Sequence, residues 1–326
     1  MRIEPVHSRL TPASQTAGKE AAIENFKISD IPAAMDHMQW TQSARLMRKW
    51  FAAPAHEMPK AVKLGDIRAN TLPPAQLLTD LSFDWLLSAS NRVRPIPIVE
   101  EHVAQLTSVT EFSPLVGRLK TPLDQLSKGL MMLMTRLRRL GLLDPQKRTL
   151  KSYYLDLGDY NAMQLEDTIQ FNLFKVGSTT WEKATDTLDD VYGALGSFII
   201  KIAATKLRTM ASDYGYAAIK IEEIGLYVRD TYDFLNVGKD QLLGYWSKRG
   251  VIRPSPIDYF AEPSCIDTND VRHFKVTNGS FNSYRKKYNK GGDFLVFSTI
   301  KRYPVSIIVH LSITDFDEYR ARTGLA

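Results

Sequence analysis

The chain has 326 residues, of which 44% are hydrophobic and 24% charged, and a formal net charge of +6. That composition excludes a disordered chain and leaves room for two hydrophobic cores. The basic excess lies in the first half, with 20 Lys and Arg against 14 Asp and Glu in residues 1–150 and 22 against 22 beyond. No dense basic run interleaved with aromatics accompanies it, so nucleic acid is not predicted as a partner. Cys265 is the single cysteine, which rules out an internal disulfide and a multi-thiolate metal site.

In chain order, residues 1–25 are polar with scattered Pro, Ser and Gly and are predicted to form a flexible leader. They lack the apolar core of a secretory signal, and no stretch offers the ~20 apolar residues that span a bilayer. Synthesis in the cytoplasm without a signal peptide is therefore expected. Any action in the periplasm of a target cell then requires lysis or a contact-dependent secretion machine. Residues 26–150 are predicted to be a helical N-terminal domain. Ser29 or Asp30 provides an N-cap and Pro32 stands in the first turn. Ala34, Met38, Ala44, Leu46, Met47, Trp50 and Phe51 then give two short helices before Pro54. A further helix is predicted through LLTDLSFDWLLSASNRV until Pro95, and the strongest one over 123–142, where Leu126, Leu130, Leu133, Met134 and Leu137 share a face.

Residues 151–326 change texture to short runs of Val, Ile, Phe, Tyr and Thr. Strands are predicted over 168–175, 196–203, 217–229, 241–246, 294–301 and 305–313, with helices at 203–212 and 282–288. With no strand-helix alternation, this half is predicted to be a mainly antiparallel, partly closed β half-barrel, making the whole chain α+β.

Chemistry is sought first at Glu222–Phe234, EEIGLYVRDTYDF, where an alternating strand ends in Asp230 and Asp233 around Tyr232. Two carboxylates at a strand-loop junction can bind a divalent cation such as Mg²⁺, or share a proton and act as base. The same spacing also describes a solvated turn. Arg285, Lys286, Lys287 and Lys290 precede the Gly291-Gly292 turn, and suit either an anion site or a basic helix end. The Gly-Gly-Asp-Phe run differs from the signature turn of cyclic-dinucleotide synthases, because Phe294 stands where that signature has a second acid. Of the two histidines in the second half, His310 sits within the strand pattern VSIIVHLSI. His273 lies in a polar segment and is the better general acid or base, placed on a loop that folds over the carboxylates.

The block from Asp189 to Ile300, with DDVYGALGSF, LGYWS and YRKKYNKGGDFLVFS, resembles an uncharacterised domain family of Gram-negative bacteria, and IPAAMDHMQWTQSARLMRKWF resembles its N-terminal companion. A more distant resemblance links the second half to the catalytic domain of colicin M-type bacteriocins, which cleave the pyrophosphate linkage of lipid II with magnesium. Their signature is Asp, any residue, Tyr, Asp, five residues, then His-Arg. Asp230, Tyr232 and Asp233 match its first part, whereas Lys239 and Asp240 replace His-Arg. The resemblance implies a hydrolase toxin with Asp230, Tyr232, Asp233 and His273 catalytic, Asp230 and Asp233 on Mg²⁺, and Arg229, Lys239, Arg285 and Lys290 on a lipid-linked anionic substrate at the membrane surface. An immunity protein would be its natural partner. The alternative is a non-catalytic adaptor or interaction protein, associated with a secretion machine, in which the same segment is a turn or docking surface.

Overall fold

The computed structural model describes residues 26–88, 111–112, 128–176, 188–211, 217–236, 238–253 and 255–325. The predicted leader lies outside them, as do residues 123–127 of the predicted long helix, the end of the helix predicted before Pro95, and Ser212. From the N-terminus come α1 (Ile31–His37), α2 (Thr41–Ala52) and α3 (Lys60–Leu64), followed by β1 (Leu77–Leu81) and α4 (Phe83–Ser88). The helix predicted across 77–93 is thus a strand followed by a short helix. The reason is tertiary: Leu77 and Leu78 pair in parallel with Leu295 and Val296, so sheet formation overrides a helical pattern. After β2 (Glu111–Phe112), α5 (Lys128–Arg139) buries Leu130, Leu133, Met134 and Leu137 as the pattern predicted.

Beyond α5 lie the hairpin β3 (Leu143–Asp144) and β4 (Thr149–Leu150), then β5 (Tyr153–Asp156), α6 (Ala162–Thr168), β6 (Gln170–Val176) and α7 (Asp190–Leu195). Two long strands follow, β7 (Phe198–Ala211) and β8 (Ala217–Tyr232). The helix predicted at 203–212 is the second half of β7. Its residues pair antiparallel with β8 from Ala203↔Gly225 to Ala211↔Ala217, and a bulge around Ala204–Leu207 absorbs the register change. Then come β9 (Leu242–Ser247), β10 (Gly250–Ile252), α8 (Pro256–Ala261), β11 (Cys265–Thr268), β12 (Val271–Thr277) and α9 (Asn278–Tyr288). The chain closes with β13 (Phe294–Ser298), β14 (Lys301–Leu311) and α10 (Ile313–Thr323).

The fold is α+β, with an eight-stranded sheet curled into a half-barrel and helices concentrated in the first half of the chain. β8 is its spine. One edge carries β7, which in turn holds β5 and β6; the other carries β14 along 217–226 and β13 along 229–232. Most pairs are antiparallel, as predicted, but β1 and β2 add parallel edges to β13 and β14. Residues from both sides of position 150 enter one hydrophobic core, including Trp50, Leu133, Leu226 and Phe294.

Burial along β8 explains its sequence. Ile219 and Ile221 alternate with half-exposed neighbours, whereas Ile224 through Arg229 are all buried, so both faces of the strand are covered there. A second sheet, β10-β9-β12-β11, packs beside the N-terminal helices: α1 contacts both β9 and β10, and the edge of Trp246 meets the face of Trp40 at 6.3 Å between ring centres. Among the described residues no helix is long and apolar enough to cross a membrane.

Candidate functional site

The site is the end of β8, where side chains alternate between the two faces of the sheet. Arg229 leaves on one face and is fully engaged. Its Nε lies 2.8 Å from Glu166 of α6, and its two terminal nitrogens donate to the carbonyls of Lys63 (3.0 Å) and Val62 (2.8 Å), closing the last turn of α3. On the other face, the Tyr232 ring stacks on Phe294 at 5.1 Å, and its hydroxyl donates to the Met47 sulfur of α2 at 3.6 Å. Burial pushes that hydroxyl's pKa up, so it remains a phenol.

Asp230 and Asp233 both face a cavity of about 450 Å³, bounded by α1, α2, α7, the end of β8 and β9. Its walls include Met35, Trp40, Leu195, Phe234, Trp246 and Phe281. The wall formed by α2 and α7 is fixed by Asp190, whose carboxylate accepts from the first amides of α2, Gln42 N at 3.0 Å and Ser43 N at 2.7 Å. Gly193 lets the two helices meet, since a Cβ there would lie 2.6 Å from Ser43 Oγ.

The two carboxylates differ in state. Asp233 forms an ion pair with Lys63 Nζ at 2.7 Å, both side chains being largely buried. Asp230 is half-buried, and desolvation by its apolar surroundings, reinforced by the charge of Asp233, pushes its pKa up to about 8 against the backbone hydrogen bond of Thr231. At neutral pH Asp230 is therefore mainly a neutral carboxylic acid. A cation at this end of β8 would have to displace the Asp230 proton, while Asp233 already holds the Lys63 ammonium.

The remaining predicted site residues are dispersed. His273 is in β12, buried and opposite Ile266, with Nδ1 3.2 Å from the Val271 carbonyl oxygen; it is on no loop and does not line the cavity. Lys239 is exposed and paired with Glu262, whose carboxyl is held down to about 2 by hydrogen bonds from Lys239 and Lys275. Arg285 is buried in the core. It pairs with Asp293, donates through Nε to the Gly291 carbonyl at 2.8 Å, and lies over the Trp50 ring. Asp293 also accepts from Trp50 Nε1 (3.1 Å) and Met58 N (3.0 Å). Arg285 is thus an internal clamp on the Gly291-Gly292 turn, while Lys286 and Lys287 are exposed. Lys290 is exposed beside it, bridged through its backbone to Pro54.

The match to known families coincides with these elements: residues 26–312 fit the model of a family of unknown function, DUF6402. The chain belongs to this family. No curated protein and no solved structure matches it. The matched DUF6402 region includes every residue of the cavity wall. Lys63 and Glu166, which fix the states of Asp233 and Arg229, carry no signal in the sequence. They arrive from separate helices.

Proposed function

We propose that this DUF6402 protein is a non-catalytic binding and interaction protein whose cavity takes a small, largely apolar ligand. One observation carries the reading: the described lining residues include two carboxyls, the polar side chains of Ser197, Thr231, Gln241 and Asn278, and many aromatic and aliphatic ones, but among the described residues no Lys, Arg or His. A pocket of a few hundred Å³ with apolar walls and a few polar groups has the form of a ligand site. A pyrophosphate would meet two carboxyls and, among the described lining residues, no cation to receive it, since Arg229, Lys239 and Arg285 are engaged elsewhere. The histidine expected to serve the carboxyls as general acid or base, His273, is in another sheet.

A second reading is the colicin M-type hydrolase. The half-barrel and the placement of Asp230, Tyr232 and Asp233 at a strand end favour it, as does the raised Asp230 carboxyl, a state suited to a general acid. Incubating the purified full chain with a polyprenyl-pyrophosphate-linked sugar and Mg²⁺ separates the two. The binding reading expects the substrate to remain intact with the wild-type chain. Turnover abolished by Asp230→Ala and Asp233→Ala would replace it with the hydrolase.

A further inference from the structure

The charge inside the cavity indicates what kind of ligand it takes. Asp233 is neutralised by Lys63, which reaches it from α3. Among the described residues Asp230 has no such partner: the adjacent cation, Arg229, is bound to Glu166 and to two carbonyls on the opposite face of the sheet. Among the described residues the cavity thus presents one carboxyl without an ion pair, in walls that also carry aromatic rings. Trp40 and Trp246 meet edge to face at 6.3 Å, and Phe234 and Phe281 stack at 3.7 Å between ring centres. Both features attract a cation, the carboxylate directly and the rings through their quadrupoles, and the second attraction strengthens where water is excluded. Neither feature suits an anion.

We propose that the cavity selects an apolar monoamine, with its ammonium on Asp230 and its hydrocarbon or aromatic body between Trp40, Trp246, Phe234 and Phe281. The proposal rests on the binding reading above and specifies its ligand. An ammonium arriving at Asp230 replaces the proton that burial holds there, so binding strengthens as pH rises toward and past the point where the carboxyl ionises. The charged groups that act on Asp230 are its chain neighbours Asp233 and Arg229, and Lys63 offsets Asp233.

The test uses three matched probes, tryptamine, 3-ethylindole and indole-3-propionate, titrated calorimetrically into the full chain at pH 8.5. Tryptamine is expected to bind at least about ten-fold tighter than 3-ethylindole, a difference of ~1.4 kcal/mol. Indole-3-propionate is expected to bind weakest. Asp230→Asn, checked for folding by near-UV circular dichroism, should remove the preference for the amine while still admitting 3-ethylindole. Equal or tighter binding of the neutral or anionic probe overturns the amine proposal and leaves the cavity a binding site. If none of the three binds, the proposal and the binding reading fall together.

Discussion

Lys63 and Asp233 meet at 2.7 Å and tie the last turn of α3 to the end of β8. The same turn is held by Arg229, which donates to the carbonyls of Lys63 and Val62. Arg229 and Asp233, opposite in charge and four residues apart, thereby fasten one short helix, and the acidic motif is built into the fold. Lys63→Met strands the Asp233 charge in largely buried surroundings and is expected to cost about 2–4 kcal/mol in urea unfolding. Adding Asp233→Asn should recover much of that loss, because the uncompensated charge disappears. An additive double variant would contradict the pairing.

The Asp230 carboxyl sets a pH dependence with a definite sign. Its folded pKa of about 8 is above the unfolded value near 3.8, so the native state holds a proton that the unfolded chain releases between those limits. Its contribution to stability is complete below pH ~4 and is lost as pH rises through about 8. Asp230→Asn should flatten this profile and stabilise the protein by about 1–2 kcal/mol at pH 8.5, a figure discounted because the carboxyl is only half-buried. Thermal melts of both proteins from pH 5 to 8.5 measure it.

Arg285 and Lys239 should behave oppositely, although both are cations in acidic company. Arg285→Ala leaves Asp293 charged and buried among Trp50 and Met58, and is expected to destabilise by about 3–5 kcal/mol. Lys239→Ala removes an exposed pair with Glu262 and should change stability by less than about 1 kcal/mol. Comparable losses in chemical denaturation would contradict the internal role of Arg285.

Gly291 has φ +102°, and a Cβ there would stand 2.4 Å from the Trp50 ring. Gly291→Ala therefore combines backbone strain with displacement of a fully buried indole, and is expected to cost more than about 2 kcal/mol. Loss of near-UV ellipticity from Trp50 should accompany it. Gly324→Ala, where nothing lies within 4 Å of the added carbon, bears the backbone strain alone and is the matched control.

Much of the half-barrel was legible because β8 alternates from Ile219 and because its neighbours are antiparallel, so local patterns coincide with the pairing. The position of Asp230 and Asp233 at the strand end followed from the same pattern. The states of these acids did not, since they depend on Lys63 and on cavity walls contributed by residues as distant as Met35 and Phe281. β1 carries a helical pattern, and its parallel pairing with β13 leaves no local signature. His273 was placed on a loop because its neighbours Asp270 and Arg272 are polar. In the fold Arg272 turns outward to Asp267 while the histidine turns in. Strand alternation separates residues that hydropathy averages together.

The central claim is that the space beside Asp230 is a binding cavity. The most direct measurement is titration of the full chain with the neutral apolar fluorophore N-phenyl-1-naphthylamine, following energy transfer from the two cavity tryptophans, Trp40 and Trp246. The account predicts saturable one-to-one binding that is weakened at least about ten-fold by the cavity-filling change Leu243→Trp in a variant that retains its cooperative melt. No saturable binding to the wild-type chain, or equal binding to the filled variant, would contradict it.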